Sequence, residues 1–288
     1  MTRYAFLRQF RIRLALAVLF LAWVGTVHAD PADDLAARAK ESLKAAKIDQ
    51  AIQQATEALA LNPKLASAWA TRGAAYLMTR KFEKAVTDYS KAIELDPRDE
   101  GAYAGRSMAL LESGDSARAL ADADKAVELA PKDANAYCVR AMIHQSRKDY
   151  RRVQEDATRA IELNPSEPMA YLYRGLARGL QGDFEGCVAD STKVIEMMPM
   201  LASAYDNRAC AYLGLGKLDL AMADIEKAIA IDPRDPTYYY DRAQIHAAKK
   251  DYDRAWADVK KFRELGGADP GDGFVQKLEK ESGRKEAK

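Results

Sequence analysis

Six prolines, Pro63, Pro97, Pro131, Pro165, Pro199 and Pro233, stand 34 residues apart with no insertion or deletion among them. Proline pushes the residue before it out of helical geometry, so each one closes a segment at a fixed interval. A period held this strictly confines the chain to an array of small units, each packed mainly on its neighbours.

The other columns at that spacing say what the unit is. An aromatic column runs Leu35, Trp69, Tyr103, Tyr137, Tyr171, Tyr205, Tyr239. Four residues later comes a small residue: Ala39, Gly73, Ser107, Ala141, Gly175, Ala209, Ala243. In the second half of each unit, Ala51, Ala85, Ala119, Val153, Cys187, Ala221 and Ala255 precede by seven residues Ala58, Ala92, Ala126, Ala160, Val194, Ala228 and Phe262. Spacings of four and seven mark one face of a helix. Small residues let two such faces approach closely while the aromatic fills the space beside them. Between the halves stand Gly114-Asp115, Lys148-Asp149, Gly182-Asp183 and Lys250-Asp251. Gly suits the left-handed end of a first helix and Asp the N-cap of a second. Each unit is therefore predicted to be a helical hairpin.

With that period and those columns, the sequence resembles the tetratricopeptide repeat family over about residues 32–265. The best single match is Trp69-Ala-Thr-Arg-Gly-Ala-Ala-Tyr76, then Ala85 through Tyr89, then Pro97. The resemblance implies an all-α right-handed superhelix of seven repeats, at 32–65, 66–99, 100–133, 134–167, 168–201, 202–235 and 236–265. Residues 266–288 follow as a capping helix and polar tail, since Gly266-Gly267 and Pro270 stop the last repeat and Phe274, Val275 and Leu278 form an apolar stripe. A terminal helix with one polar face covers the open edge of such an array.

The chain departs from the family where Leu is usual, carrying Arg38, Arg72, Arg106, Arg140, Arg174, Arg208 and Arg242. Read alone, the ladder suggests a strip for a polyanion. Asp88, Asp122, Asp156, Asp190, Asp224 and Asp258 follow sixteen residues later, where the hairpin brings the columns face to face. A partly buried arginine needs a carboxylate, so internal pairing is the expectation. Arg38, with Gln54 opposite, is expected to be exposed or paired differently.

The first 29 residues carry four arginines (Arg3, Arg8, Arg11, Arg13), no acid, and the apolar run Leu14–Val24. Ending Val27-His28-Ala29 before acidic Asp30, the segment reads as a cleavable signal peptide cut after Ala29, implying a periplasmic or secreted protein. The run is short of the roughly 20 residues a membrane span needs, so membrane contact would require the segment to stay uncleaved. Without it the chain holds 40 bases against 43 acids, which gives no net attraction to nucleic acid. Cys138, Cys187 and Cys210 are an odd, widely spaced set, read as small buried hydrophobes, not disulfides.

Nothing in the sequence assembles a catalytic site. His144 and His246, in the column of Tyr76 and Tyr212, read as core residues, and no catalytic residue, metal ligand set or cofactor is predicted. The family resemblance instead implies a concave groove, lined by the first helices, for a protein or peptide partner. The positions matching that groove give Met78, Met108, Asn135, Cys138, Met142, Gln145, Leu172, Leu176, Asp206 and Tyr240, an apolar, methionine-rich surface. The Lys, Asn and Arg set with which some members clamp a terminal carboxylate is missing. A second candidate is the basic edge Arg147, Lys148, Arg151, Arg152, read chiefly as solvated. Val153 and Cys187 in place of alanine are expected to splay the fourth and fifth units slightly. The function expected is a non-catalytic interaction scaffold. The rivals are a self-assembling structural protein, through stacking of solenoid ends, and a glycan binder or envelope enzyme.

Overall fold

The computed structural model describes residues 30–268 and 273–284. The segment read as a signal peptide lies outside them. The chain divides into two compact units, one ending at Ala109 and one beginning at Leu110. The first holds α1 (Pro31–Lys44), α2 (Ile48–Leu61), α3 (Ala66–Met78), α4 (Phe82–Leu95) and most of α5 (Glu100–Glu112). The second holds the end of α5, then α6 (Ser116–Leu129), α7 (Ala134–Ser146), α8 (Tyr150–Leu163), α9 (Pro168–Leu180), α10 (Phe184–Met197), α11 (Ala202–Gly214), α12 (Leu218–Ile231), α13 (Pro236–Ala248), α14 (Tyr252–Glu264) and α15 (Phe274–Ser282). The fold is an all-α right-handed solenoid of helix–turn–helix repeats, with α15 as its cap.

The small-residue columns are the seams. Ala51, Ala58, Ala85, Ala92, Ala119, Ala126, Val153, Ala160, Val194, Ala221, Ala228 and Ala255 are fully enclosed, and Cys187 and Phe262 nearly so. Where a seam residue is larger, its neighbour yields: a side chain at Gly179 would lie 3.2 Å from Cys187 Sγ. A second compensation breaks the period. Tyr89 stands where the next repeats have Ala123 and Ala157, and its ring tip fills the space beside Gly105 in the first unit.

Each inter-helix turn places one residue in the left-handed region: Ala46, Arg80, Gly114, Lys148, Gly182, Gly216 and Lys250, again 34 apart. This geometry lets the backbone N–H of Asp183 reach Arg178 O at 2.9 Å, and that of Asp149 reach His144 O at 3.0 Å, closing the helix end. Asp115, Asp149, Asp183 and Asp251 then cap the second helices as expected, accepting from Arg118, Arg152, Gly186 and Arg254.

The inter-repeat loops are held just as regularly. Asn62, Asp96, Asn164 and Asp232 each accept from the backbone N–H two residues on, turning the chain at the proline. The aromatic column ties the loop down. Tyr137, Tyr171, Tyr205 and Tyr239 donate their hydroxyls, and Trp69 its indole N–H, to the proline carbonyl six residues earlier.

At the far end Val275 and Leu278 are buried against Tyr239, Tyr240, Val259 and Phe262. Covering each contributes about 1.5–3 kcal/mol. The Trp256 indole donates to Ser282 Oγ at 3.0 Å and fastens the cap.

Candidate functional site

The arginine ladder is structural in five of its rungs. Arg72, Arg140, Arg174, Arg208 and Arg242 each grip their aspartate with Nε and Nη2, to Asp88, Asp156, Asp190, Asp224 and Asp258, at 2.7–3.0 Å. Those carboxylates are buried. Nη1 reaches back to the preceding repeat, to Thr56, Asp124 and Thr192 from Arg72, Arg140 and Arg208, and to Ser90 from Arg106. Each guanidinium of those six also lies 4.7–5.9 Å from the ring three residues before it. The planar fork is thus spent on joining helices. Arg38 pairs with Asp34 at 2.7 Å on the surface, while Gln54 accepts from Ser42.

His144 and His246 are buried, as their column implied, with Nε2 at 3.8 and 3.7 Å from Asp156 and Asp258. Burial holds both below the ordinary histidine value, against the pull of those carboxylates. The basic edge is exposed and partly self-neutralised, with Arg151 on Glu155 at 2.9 Å and Arg152 near Asp149 at 3.5 Å.

The predicted groove residues fall on both units. In the first, Met78 ends α3 with 58% of its surface exposed, and Met108 on α5 is half-buried. In the second, α7 and α9 pack side by side, as do α9 and α11, and α11 and α13. Along this wall Asn135 is exposed and Met142, Gln145, Leu172, Leu176 and Asp206 are half-buried.

Two predicted members are not surface residues. Cys138 is buried in the seam with Ala160 and Ala170. Tyr240 is buried because the cap closes over it, with its ring 4.9 Å from Phe262 and 5.3 Å from Phe274. The opposite correction applies to Cys210. Cys138 and Cys187 are buried, and burial pushes their thiols up to about 12 and about 11. Cys210 is exposed, because its column faces off the first helix instead of into a seam.

Cys210 has a setting the sequence did not disclose. One carboxylate oxygen each from Asp206 and Asp241 and the Cys210 Sγ all lie within 4.8 Å of one another. Asp206 and Cys210 are one turn apart on α11, and Asp241 comes from α13. The signal was present as Asp206 four residues before Cys210, but the third member belongs to the next repeat.

Three stretches, 66–99, 101–133 and 202–235, match models of the tetratricopeptide repeat. The structure carries the same helical hairpin through the intervening repeats. None of the curated proteins compared with it matches in sequence. Among solved structures, a tetratricopeptide repeat protein from Parabacteroides merdae is 21% identical with a TM-score of 0.63, covering 88% of this chain and 99% of its own. The anaphase-promoting complex assembly Cut9–Hcn1 is 18% identical with a TM-score of 0.73; the match covers 93% of this chain and spans about half, 51%, of that one. YrrB, described as having an unusual peptide-binding site, is 22% identical with a TM-score of 0.52, over 68% and 97%. At these identities the likeness is one of fold.

Proposed function

We propose that this chain is a non-catalytic scaffold that holds a segment of a partner protein along the first helices of its repeats, in the bacterial cell envelope. The observation that carries the reading is the row of half-buried apolar side chains on adjoining helices, Met142 on α7 with Leu172 and Leu176 on α9. Flexible thioether and branched side chains with part of their surface open are suited to apolar anchors of varied shape. The ladder supports the same reading from behind, because it fixes the helices that present the row without using its surface. The fold neighbours include one complex with a protein partner and one protein described by its peptide-binding site, which is consistent with this use of the fold.

Export rests on the basic, then apolar N-terminal segment. Among the described residues no helix is long and apolar enough to cross a membrane. N-terminal sequencing of the mature chain tests export, with Asp30 the expected first residue.

The binding test is affinity capture from an envelope extract with the parent protein beside a Met142→Glu, Leu176→Glu double variant. Loss of specifically retained proteins from a variant of native helix content supports the groove. Equal retention by both forms would move the contact elsewhere.

A further inference from the structure

The acid–thiol cluster on α11 and α13 continues the wall of first helices beyond the apolar row, with Asp206 and Cys210 in the columns of Leu172 and Leu176. We propose that Asp206, Cys210 and Asp241 form a three-ligand site for a borderline divalent transition-metal ion of the zinc class, with one coordination position left open.

The geometry begins with the helix. Residues four apart project from the same face of an α-helix one turn above each other, so Asp206 and Cys210 bracket one spot. The neighbouring first helix supplies Asp241 from the side. Their ligand atoms lie within 4.8 Å of one another. Zinc bonds of about 2.0–2.3 Å put tetrahedral ligands roughly 3.5 Å apart, so rotamer adjustments of an ångström or so close the triangle on an ion.

The second observation is an unsatisfied atom. Asp206 Oδ1 is shut off from solvent and has no hydrogen-bond partner, although the Asp206 carboxyl also shares a side-chain hydrogen bond with Asp241. A buried carboxylate oxygen without a donor is costly unless a cation or a proton meets its charge.

The electrostatics has the matching sign. The charged groups acting on Asp206 and on the nearby Tyr238 hydroxyl are all carboxylates, Asp206, Asp232, Asp235 and Asp241 among them. Desolvation first, and those neighbours second, push the Asp206 carboxyl and the Cys210 thiol well above their usual values. Metal binding to a thiolate and carboxylates displaces whatever protons those groups carry, so affinity rises with pH.

The thiol chooses the ion. Carboxylates alone suit calcium or magnesium, but a sulfur among them favours zinc and its neighbours. A lysine or arginine of a partner would satisfy the carboxylates and gain little from the thiol. Cys210 also meets the access requirement. The residue is open to solvent.

The probe is cobalt(II), which reports a bound thiolate by charge-transfer absorption in the near ultraviolet. The reduced, chelator-treated full chain is titrated with cobalt, then with zinc. The expected result is an absorption that saturates at one ion per chain and is displaced by zinc. It should persist in Cys138→Ser and Cys187→Ser, vanish in Cys210→Ser, and be lost or weakened in Asp206→Asn and Asp241→Asn at unchanged helix content. Proton release on binding completes the expected picture.

No thiolate band at saturating cobalt, or the same band in Cys210→Ser, overturns the proposal. So does Asp206-dependent binding of a lysine-containing peptide without cobalt uptake, which would give the site to a basic side chain.

Discussion

Replacing Gly105 by alanine should destabilise the first unit, although alanine is the better helix former, and the sign should reverse when Tyr89 is shortened. A Cβ at Gly105 would lie 2.3 Å from Tyr89 Cζ, 2.5 Å from its Oη and 2.6 Å from its Cε1. The ring has nowhere to retreat: it is 96% enclosed, and Gly73 sits where its own Cβ would be only 3.2–3.3 Å from the other end of the ring. Overpacking of this kind costs about 1–3 kcal/mol, and contacts this short belong at the upper end. Helix propensity returns about 1 kcal/mol, leaving a net loss of about 2 kcal/mol. Leucine at position 89 ends at Cδ and lacks the three atoms that collide. In Tyr89→Leu, itself less stable than the parent, Gly105→Ala should therefore gain about 1 kcal/mol, a coupling of about 3 kcal/mol. Urea unfolding followed by far-ultraviolet circular dichroism, on all four members of the cycle, measures it. Equal cost of Gly105→Ala in both backgrounds would refute the account, because the ring would then not be what the alanine meets.

Four further outcomes can be checked by the same unfolding measurement. Lys148 holds a left-handed conformation (φ 59°) where the next repeats use Gly182 and Gly216, so Lys148→Gly should stabilise by about 0.5–1 kcal/mol; a loss would show that the lysine side chain holds the turn. Asp190 accepts from Arg174 twice and from Arg178 once, so Asp190→Asn, which removes the buried charge that both guanidinium groups grip, should cost about 3–5 kcal/mol. Arg38→Ala, at the exposed rung, should stay within about 0.5 kcal/mol; similar costs at both rungs would contradict the burial argument. His144 and His246 have folded values below the unfolded one near 6.5. The unfolded chain therefore binds more protons, and their contribution is present above about pH 6.5 and lost as pH falls below it. Asp206, raised, works in the opposite direction, so the clean comparison is the parent against His144→Phe, His246→Phe. The parent should lose more stability between about pH 7.5 and pH 5.5, and parallel profiles would count against it.

What could be read from the sequence was what repeats. The proline, aromatic, alanine, arginine and aspartate columns each impose one physical demand at nearly every unit, so weak signals add. The hairpins, the Asp caps and five Arg–Asp rungs followed from them. Single substitutions within a column carry no such redundancy. Tyr89 against Gly105 reads as two unrelated irregularities until the helices are placed, and only then as one exchange of volume across a seam. Tyr240 matched a groove position in every respect the repeat can express. It is buried because the cap, which occurs once, folds over it. Cys210 shows the reverse failure. The apolar reading of cysteine is right for Cys138 and Cys187, whose positions lie in seams, and wrong for a column whose other members include Lys40 and Gln244. A side chain's column decides its exposure more firmly than its type does. In a solenoid the departures from the period are therefore where function is to be sought. Asp206, Cys210 and Asp241 replace mostly small or apolar members of their columns at three positions on two adjoining helices. In one repeat each is a tolerated exception; brought together, they place two acids and a thiol round a carboxylate oxygen that no protein group satisfies.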